Sequence, residues 1–411
     1  MTAPLDTTAE GPLTGCKVLE LGSTIAAPFC GRFFADFGAE VIKVETPSGD
    51  PLRSIGQHYE GKSLWWASMH RNKRVIAVNM KSEDGLDIVK RMMGMTDIVI
   101  ENYRPKTMER WGLDWETMSR VHPRLIMVRI SGFGQTGPYS DRAGFGIVGE
   151  ALSGLRSLTG DPDRPPARVA LPLTDYVTGL YAVSGALMAL HHRDRTGQGQ
   201  VVDAALYESA FSFMESFVPA YDKLGAVPLR TGSALPGHVP NNLFPTGDDQ
   251  HIHIAAGNDN TFRALAAAMD KPELADDPRF AKGVDRSVNQ AALEEIIEAW
   301  AREWTMDALY QHLLAGGVPA APIYTIADAF KDPHYADREA IVDVPDDSME
   351  SVKLANVVPR LSETPGTIRW SGHRLGADTR AVLRDYLAMD DATLDRLEAD
   401  GAIVSATEKS E

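Results

Sequence analysis

Cysteine is scarce in this chain of 411 residues, which contains only Cys16 and Cys30. Two thiols cannot provide the disulfide framework of a small secreted scaffold, and they suit a reducing compartment. Both lie in apolar surroundings beside the first predicted strand, and neither has a histidine near it in sequence. We therefore interpret both as structural thiols rather than catalytic thiolates, and we expect a cytoplasmic protein.

Long apolar runs are also missing, since none reaches the roughly 18 residues of a membrane-spanning helix. The first residues, Met1 to Gly11, lack the basic start and the apolar stretch of a signal peptide. We expect no membrane partner, and we interpret residues 1–12 as a disordered tail.

Positive charge is in deficit, with a net charge of −16. This excludes nucleic acid as an expected partner, because phosphate binding needs a basic face. One window has a positive net charge: residues 71–110 contain nine Lys or Arg and six Asp or Glu. The window is either a solvated helix surface or a local binding patch for a small anion.

Strand and helix patterns alternate over the first 150 residues. Buried strands are predicted at 17–21, 39–44, 97–100 and 124–128, with a helix at Phe29 to Phe37 and another that Ser82 caps. This order predicts an α/β fold with parallel βαβ units, whose ligands bind at the carboxyl ends of the strands. We divide the chain into a large domain at 13–224, a small α/β domain at 225–325, and a return to the large domain at 326–411.

Two familiar motifs are present but incomplete. Gly132 to Gly137 fits G-x-G-x-x-G, but it follows the fourth predicted strand, precedes Pro138, and lacks the acidic residue that a dinucleotide site needs. His251 and His253 face one side of a predicted strand, but no third metal ligand is evident. We expect no metal site and no permanently bound cofactor.

The segment Leu171 to Leu180 opens a long predicted helix at about Thr174 to His192. Thr174 or Asp175 suits the helix N-cap, which is the structural interpretation. The alternative is chemical, because a carboxylate at a helix start beside a glycine-rich sheet edge can act as a covalent nucleophile.

Several segments together resemble the class III CoA-transferases, a family that includes formyl-CoA transferase, carnitine CoA-transferase and succinyl-CoA:malate CoA-transferase. The segments are Val18-Leu19-Glu20 with Ala26-Ala27-Pro28, Gly38 to Glu45, Asn72-Lys73-Arg74, Glu101 to Pro105, Gly132-Phe133-Gly134, Thr174-Asp175, Arg195 to Gln200, and Leu375 to Thr379. They cover nearly the whole chain in the expected order. The resemblance implies an interlocked homodimer, each chain having a Rossmann-like large domain from both chain ends and a smaller α/β domain.

The resemblance also implies the reaction and the site. Asp175 matches the catalytic aspartate, which forms a mixed anhydride with the acyl donor and then an aspartyl-CoA thioester. Coenzyme A, a substrate here, is expected to contact Ile25, Ala26, Val78, Asn79, Met80, Lys81, Asn102, Tyr103, Arg104, Arg110, Gly144 and Phe145. The acyl group is expected near Gly232, Ser233, Gly237 and His238, in a loop that resembles the family's glycine loop.

Three residues depart from formyl-CoA transferase. That enzyme has an arginine in place of Thr46, so one nucleotide contact is expected to be missing here. It has a glutamine in place of Ile25 and a glutamate in place of Gly146, so oxalate and formate are not the expected substrates. The segments Ile25 to Cys30 and Pro359 to Gly366 are most similar to the succinyl-CoA:malate branch. This resemblance implies succinyl-CoA as the donor and a C4 or C5 dicarboxylic acid as the acceptor, with a hydrophobic or aromatic acid as the alternative. An α-methylacyl-CoA racemase is a further alternative, but its catalytic histidine aligns with Phe145, which cannot carry a proton. A non-catalytic CoA-binding scaffold would have no need of Asp175.

Overall fold

The computed structural model describes residues 10–406. The strands, numbered β1 to β14 in chain order, are Lys17–Glu20, Glu40–Glu45, His58–Tyr59, Lys62–Ser63, Arg74–Val78, Ile98–Glu101, Ile126–Ser131, Val201–Ala205, Asn241–Pro245, His251–Ala255, Ala320–Pro322, Ile341–Pro345, Ser351–Ala355 and Ile403–Val404. Of the predicted disordered tail, residues 1–9 lie outside the described residues.

The helices, numbered α1 to α17 in chain order, are Ala26–Asp36, Leu64–Met69, Glu83–Met93, Thr107–Arg110, Trp115–Val121, Gly146–Leu152, Leu173–Thr196, Leu206–Phe211, Phe217–Leu224, Asp259–Ala268, Gly283–Val288, Gln290–Ala301, Met306–Ala315, Ile326–Ala329, Pro333–Asp337, Thr379–Leu387 and Asp391–Ala399. Short 3₁₀ helices lie at Pro51–Ser54, Leu155–Leu158, Ser212–Met214 and Pro272–Ala275.

The chain divides into two compact units. The first contains the described residues of Met1–Leu155, Val169–Pro219 and Asp337–Glu411, and the second contains Arg156–Arg168 and Ala220–Ala336. The sequence-based division differs from this one at residues 156–168, 220–224 and 326–336. The first unit is therefore assembled from three separate stretches of the chain.

A seven-stranded sheet forms the centre of the first unit, in the order β14-β5-β2-β1-β6-β7-β8. All neighbouring strands are parallel except β14, which pairs antiparallel with β5. This confirms the prediction of an α/β fold built on a parallel sheet. From β1 the chain builds outward in one direction through β2 and β5, and then in the other through β6, β7 and β8.

Helices cover both faces of this sheet. Leu19 of β1 belongs to a core shared with α3, α16 and α17. Its neighbour Val18 points the opposite way, into a core shared with α1 and α7. Because both faces are buried, the strands are nearly continuous apolar runs.

The second unit has its own core around an antiparallel sheet in the order β11-β10-β9. Helices α10, α12 and α13 contribute Phe262, Ile297 and Leu309 to this core. The fully buried Arg286 donates hydrogen bonds to the carbonyl oxygens of Val239, Phe280 and Gly257. These bonds satisfy a buried cation with backbone acceptors.

Helix α7 is the longest helix among the described residues, with 24 residues. By length and composition alone it is apolar enough to cross a membrane, and 39% of its apolar window is buried. Core helices of globular proteins pass the same test, so this is weak support for a membrane span. One side of α7 packs against α1, while Leu180, Tyr181, Leu187 and Met188 on the other side are exposed.

Candidate active site

The sheet has a topological switch point between β1 and β6, because β2 and β5 are added on one side of β1 and β6, β7 and β8 on the other. In open α/β sheets, ligands bind at such a point, outside the carboxyl ends of the strands. The Asn102 side chain bridges the loops that follow β1 and β6. Its Oδ1 accepts from the backbone N–H of Ser23 at 2.8 Å, and its Nδ2 donates to the Ser23 carbonyl oxygen at 2.9 Å. Gly22 permits this approach, because a Cβ there would lie 2.9 Å from Asn102 Oδ1. Asn102, a predicted CoA contact, thus lies at the switch point of the sheet.

Asp175 lies in the first turn of α7 but does not cap it. The helix begins at Leu173, its N-cap is Pro172, and no side chain provides the cap hydrogen bond. The interpretation of Thr174 or Asp175 as the N-cap is therefore wrong, because the helix starts earlier than the sequence suggested. The Thr174 hydroxyl is buried without a hydrogen-bond partner, while Thr178 Oγ1 donates to the Thr174 carbonyl oxygen at 2.7 Å.

The Asp175 carboxylate lies directly over Gly146, the first residue of α6. A Cβ built on Gly146 would lie 1.8 Å from Asp175 Oδ2, so this position accommodates only glycine while the carboxylate keeps its place. The two preceding residues are the predicted contacts Gly144 and Phe145. Gly144 packs against Gly132 backbone to backbone, and the Phe145 side chain is 73% exposed.

Burial sets the electrostatics of Asp175. It raises the pKa of this carboxyl to about 6 from an ordinary 3.8, and only the residue's own backbone N–H opposes the shift. No charged side chain contributes to the change in pKa. At neutral pH the group is therefore an ionised, poorly solvated carboxylate, which is more nucleophilic than one stabilised by water or by an ion pair.

Contacts between α7 and α1 bring Asp175 near Ile25 and Ala26, which are predicted to contact coenzyme A. The Tyr176 ring packs edge-to-face on Phe29 with centroids 4.9 Å apart, and both rings border a small core that contains Ile25. One turn further along, a Cβ on Gly179 would lie 3.1 Å from the Ala26 carbonyl oxygen. Ile25 and Ala26 thus lie at the start of α1, beside the first turns of α7.

The other predicted CoA contacts follow the carboxyl ends of β5 and β6. Val78 ends β5 and is buried, and the Asn79 backbone N–H donates to the Ala402 carbonyl oxygen at 2.8 Å. The Tyr103 hydroxyl lies 3.8 Å from Met80 Sδ. This contact joins the loop after β5 to the loop after β6, although two strands lie between β5 and β6 in the sheet. The structure therefore brings these two predicted groups together at one edge of the sheet.

The basic window serves two different purposes. Arg71, Lys73 and Arg74 form ion pairs with Asp36, Glu20 and Glu40, and the first two cations are fully enclosed. Among the described residues, the exposed side chains of Lys81 and Arg104 form no ion pair. Arg110 is also exposed and donates only to Thr107 Oγ1, at 2.9 Å. Lys81, Arg104 and Arg110 are thus free to bind an anion, whereas Lys106 in the same window is paired with Asp141.

The predicted acyl-binding residues Gly232, Ser233, Gly237 and His238 are exposed and belong to the second unit. Gly232 and Gly237 have positive φ values of 62° and 77°, which favour glycine. The loop is anchored on the segment 156–168: the Gly232 backbone N–H donates to the Gly160 carbonyl oxygen, and the Arg230 guanidinium donates to the carbonyl oxygens of Ser157, Asp161 and Arg164.

His251 and His253 do not assemble a metal site. His253 Nε2 lies 2.7 Å from Asn241 Oδ1, and His251 is exposed. Across residues 10–406, no cluster of three or more His, Cys, Asp or Glu side chains has an arrangement suited to a metal ion.

Sequence reasoning missed the charged groups that support the predicted CoA loops. Glu101 Oε2 accepts from the Tyr103 backbone N–H at 2.7 Å, and Glu101 Oε1 accepts from Arg129 Nε at 2.8 Å. Burial raises the pKa of Glu101 to about 7, although Arg129 opposes the shift. Asp50 and Lys43 support the turn before α1 in a similar way. The sequence signal for Lys43, Glu101 and Arg129 was a charged residue within an otherwise buried apolar strand, where an unpaired charge is costly. Asp50 lies in a loop and had no such signal.

A parallel sheet with helices on both faces, a switch point between β1 and β6 and a largely buried carboxylate on α7 are typical of α/β proteins that bind a ligand at the carboxyl edge of the sheet. The solved structure of a CaiB/BaiF family protein from Brucella suis has the same fold, with a TM-score of 0.82 and 35% identity, over 92% of this chain and 100% of that one. Residues 13–379 match the model of CoA-transferase family III, and the chain belongs to this family.

Two curated relatives come from Chloroflexus aurantiacus. The chain is 47% identical to succinyl-CoA–D-citramalate CoA-transferase, over 94% of this chain and 97% of the relative. It is 41% identical to the beta subunit of succinyl-CoA–L-malate CoA-transferase, over 95% of this chain and 98% of the relative. The resemblance noted in the sequence is confirmed, and the chain is an enzyme of the class III CoA-transferase type.

Proposed function

We propose that this enzyme transfers coenzyme A between carboxylic acids by covalent catalysis at Asp175. The observation that carries the proposal is the position of the Asp175 carboxylate over Gly146, where it is desolvated and, among the described residues, forms no ion pair. A carboxylate nucleophile needs no general base, since it has no proton to lose before attack. A racemase, in contrast, needs a second proton carrier, and Phe145 cannot serve as one.

The reaction proceeds in four steps that consume no proton. A carboxylate oxygen of Asp175 attacks the thioester carbon of the donor, the C–S bond breaks, and CoA leaves as a thiolate. The thiolate attacks the Asp175 carbon of this anhydride and releases the donor acid. The acceptor carboxylate then attacks the aspartyl-CoA thioester and again displaces the thiolate. Finally, the thiolate attacks the acceptor carbon, which yields the new acyl-CoA and restores the Asp175 carboxylate.

The donor in this scheme is succinyl-CoA, and the acceptor is a C4 or C5 dicarboxylic acid. The named activities of the two relatives support this choice, because both use succinyl-CoA and their acceptors are malate and citramalate. Gly146 leaves room for the reacting carbonyl group in this scheme, because any side chain there would occupy the space beside the Asp175 carboxylate.

Coenzyme A lies along the carboxyl edge of the sheet in this proposal. Ile25 and Ala26 contact its pantetheine arm beside α7. Lys81, Arg104 and Arg110 contact its phosphates, because they are exposed cations outside the ion-pair network. Val78, Asn79, Met80, Asn102, Tyr103, Gly144 and Phe145 complete the site. The loop with Gly232, Ser233, Gly237 and His238 selects the acyl group.

In this proposal the enzyme is a homodimer. We also place it in the cytoplasm. The exposed side of α7 offers Leu180, Tyr181, Leu187 and Met188, and Met188 is 65% exposed. Four large apolar side chains along one side of a helix suit a second copy of the chain better than water. Sedimentation measurements test this: Met188→Glu should dissociate the dimer, whereas Val121→Glu, at an exposed position on α5, should leave it intact.

The covalent step is tested by trapping. The enzyme is incubated with succinyl-CoA and treated with hydroxylamine or borohydride, and the modified peptide is mapped by mass spectrometry. The expected label lies on Asp175 and is absent from folded Asp175→Asn. A label on another residue, or an Asn variant with full activity, would overturn the proposal.

A further inference from the structure

The turn that joins β1 to α1 is held in an unusual conformation by buried charges. Thr24 has φ +70°, a left-handed value that is uncommon for a residue other than glycine. Ile25 follows as the N-cap of α1, and no side chain provides its cap hydrogen bond. The turn therefore depends on contacts from outside the helix.

Asp50 provides the main contact. Both of its carboxylate oxygens lie 3.2 Å from the Thr24 backbone nitrogen, and Oδ1 also accepts from the Leu52 backbone N–H at 2.9 Å. The carboxylate is enclosed, with only 1% of the side chain exposed. A charged acceptor bonded to backbone N–H groups is a strong restraint, because a hydrogen bond to an ionised group is about twice as strong as a neutral one.

Lys43 completes this arrangement from β2. Its ammonium group lies 3.0 Å from Asp50 Oδ2 and also donates to the Gly22 carbonyl oxygen. The side chain is 1% exposed, and Glu20 Oε1 lies 3.6 Å from the same nitrogen. The Asp50–Lys43 pair thus holds the turn at two points: Lys43 donates to the Gly22 carbonyl oxygen, and Asp50 accepts from the Thr24 N–H.

We propose that Asp50 and Lys43 are positioning residues that set the Gly22–Ile25 turn against the pantetheine arm of coenzyme A. The inference rests on the proposed function, since it takes Ile25 and Ala26 as CoA contacts. Neither charged group touches CoA in this assignment. The pair acts by holding the backbone of a turn at the switch point, where a shift of about 1 Å can change rates by two orders of magnitude.

The test compares two buried carboxylates that flank α1. Asp50→Asn alters the pair at the start of the helix. Asp36→Asn alters a matched pair at its end, where Asp36 accepts from Arg71 at 2.7 Å and from Asn72 at 2.9 Å. Both changes remove one buried ion pair. Calorimetric titration with coenzyme A measures the dissociation constant, and thermal unfolding measures stability.

We expect both variants to lose stability but only Asp50→Asn to weaken CoA binding, by about tenfold or more. The KM for every acyl-CoA should rise in the same proportion, with a smaller change in kcat at saturation. If Asp50→Asn does not fold because Lys43 is left buried with only Glu20, 3.6 Å away, as a partner, Lys43→Met combined with Asp50→Asn removes both members of the pair and should show the same loss.

The outcomes separate the two proposals. Unchanged CoA binding by a folded Asp50 variant, or an equal loss in Asp36→Asn, would overturn the positioning role and leave the transferase assignment intact. Failure of the unmodified enzyme to bind coenzyme A would overturn both.

Discussion

Gly146 and Asp175 are matched so closely that one added methyl group would overlap the carboxylate: a Cβ on Gly146 would lie 1.8 Å from Asp175 Oδ2. Because the far end of a side chain is the group in the way, the fold can accommodate alanine by rotating Asp175. Gly146 therefore controls where the carboxylate points without taking part in the reaction.

Gly146→Ala should consequently keep the protein folded while turnover falls by about two orders of magnitude, since misplacement by about 1 Å has that effect. Gly146 is not among the glycines with positive φ, so alanine fits the backbone here and stability should change little. Steady-state kinetics and thermal unfolding measure both effects. Val148→Ala, at an exposed position on the same helix, serves as the control, and full activity in the Gly146 variant would contradict the role.

The pH dependence of activity should follow Asp175. Its pKa is raised to about 6 by burial, and only the ionised form is nucleophilic. As pH falls through about 6, kcat/KM should decrease, approaching tenfold for each further pH unit. The dissociation constant for coenzyme A, measured over the same range, separates loss of nucleophile from loss of binding. A profile flat down to pH 5 would be incompatible with this assignment.

Asp175→Asn should be inactive yet more stable at neutral pH. Burial disfavours the charged carboxylate, so the folded state binds a proton more tightly than the unfolded state does. Above about pH 6 the ionised group lowers the free energy of unfolding, and replacing it with the uncharged amide should raise that free energy by about 1 to 3 kcal/mol. This gain should fade as pH falls from about 6 toward 4. Thermal unfolding at pH 7.5 and pH 4.5 measures it, and a less stable Asn variant at pH 7.5 would argue for a structural role.

Arg104→Ala should raise KM for every acyl-CoA by a similar factor, because the proposed contact is to the shared nucleotide. A hydrogen bond to a charged group contributes about 1.5 to 3 kcal/mol, which corresponds to about 10- to 150-fold. Lys106→Ala is the matched control, since Lys106 is exposed on the same loop but already paired with Asp141 at 2.7 Å. An effect limited to one acyl group would place Arg104 beside the acyl group instead.

His238→Ala should change the order of preference among acceptor acids and leave the dissociation constant for coenzyme A unchanged. The motivation is its exposure in the anchored loop of the second unit. Competition among C4, C5 and aromatic acids, read by mass spectrometry of the acyl-CoA products, measures the preference. His251→Ala, at another exposed histidine of this unit, provides the comparison. An unaltered order in the His238 variant would remove this residue from the acyl site.

The sequence predicted the regular elements well where local signals were strong. Ser82 caps α3 as expected, and the strands predicted at 39–44 and 97–100 correspond within one residue to β2 and β6. Strand β5 was overlooked although Val75 to Val78 form a buried apolar run, because a short run of this kind has no distinctive periodicity.

Contacts between residues far apart in the chain could not be predicted from the sequence. Asp175 was identified by its match to a family motif, but its position over Gly146 depends on how α6 and α7 pack. Asp50 and Thr24 are 26 positions apart, and no periodic pattern links an acidic loop residue to the backbone of a turn. Helix packing and loop geometry decide such contacts, and both arise from tertiary structure.

Strand β14 has a consequence for how the enzyme is made. Ile403 pairs with Val78 at the end of β5, and the Ala402 carbonyl accepts from Asn79, so β14 completes the sheet edge that precedes Lys81. Because synthesis starts at the N-terminus, these residues are made long after Asp175. The nascent chain therefore contains helix α7 with Asp175 long before β14 can pair with β5. A chain that stops before Thr379 should contain Asp175 but lack the completed sheet edge next to Lys81.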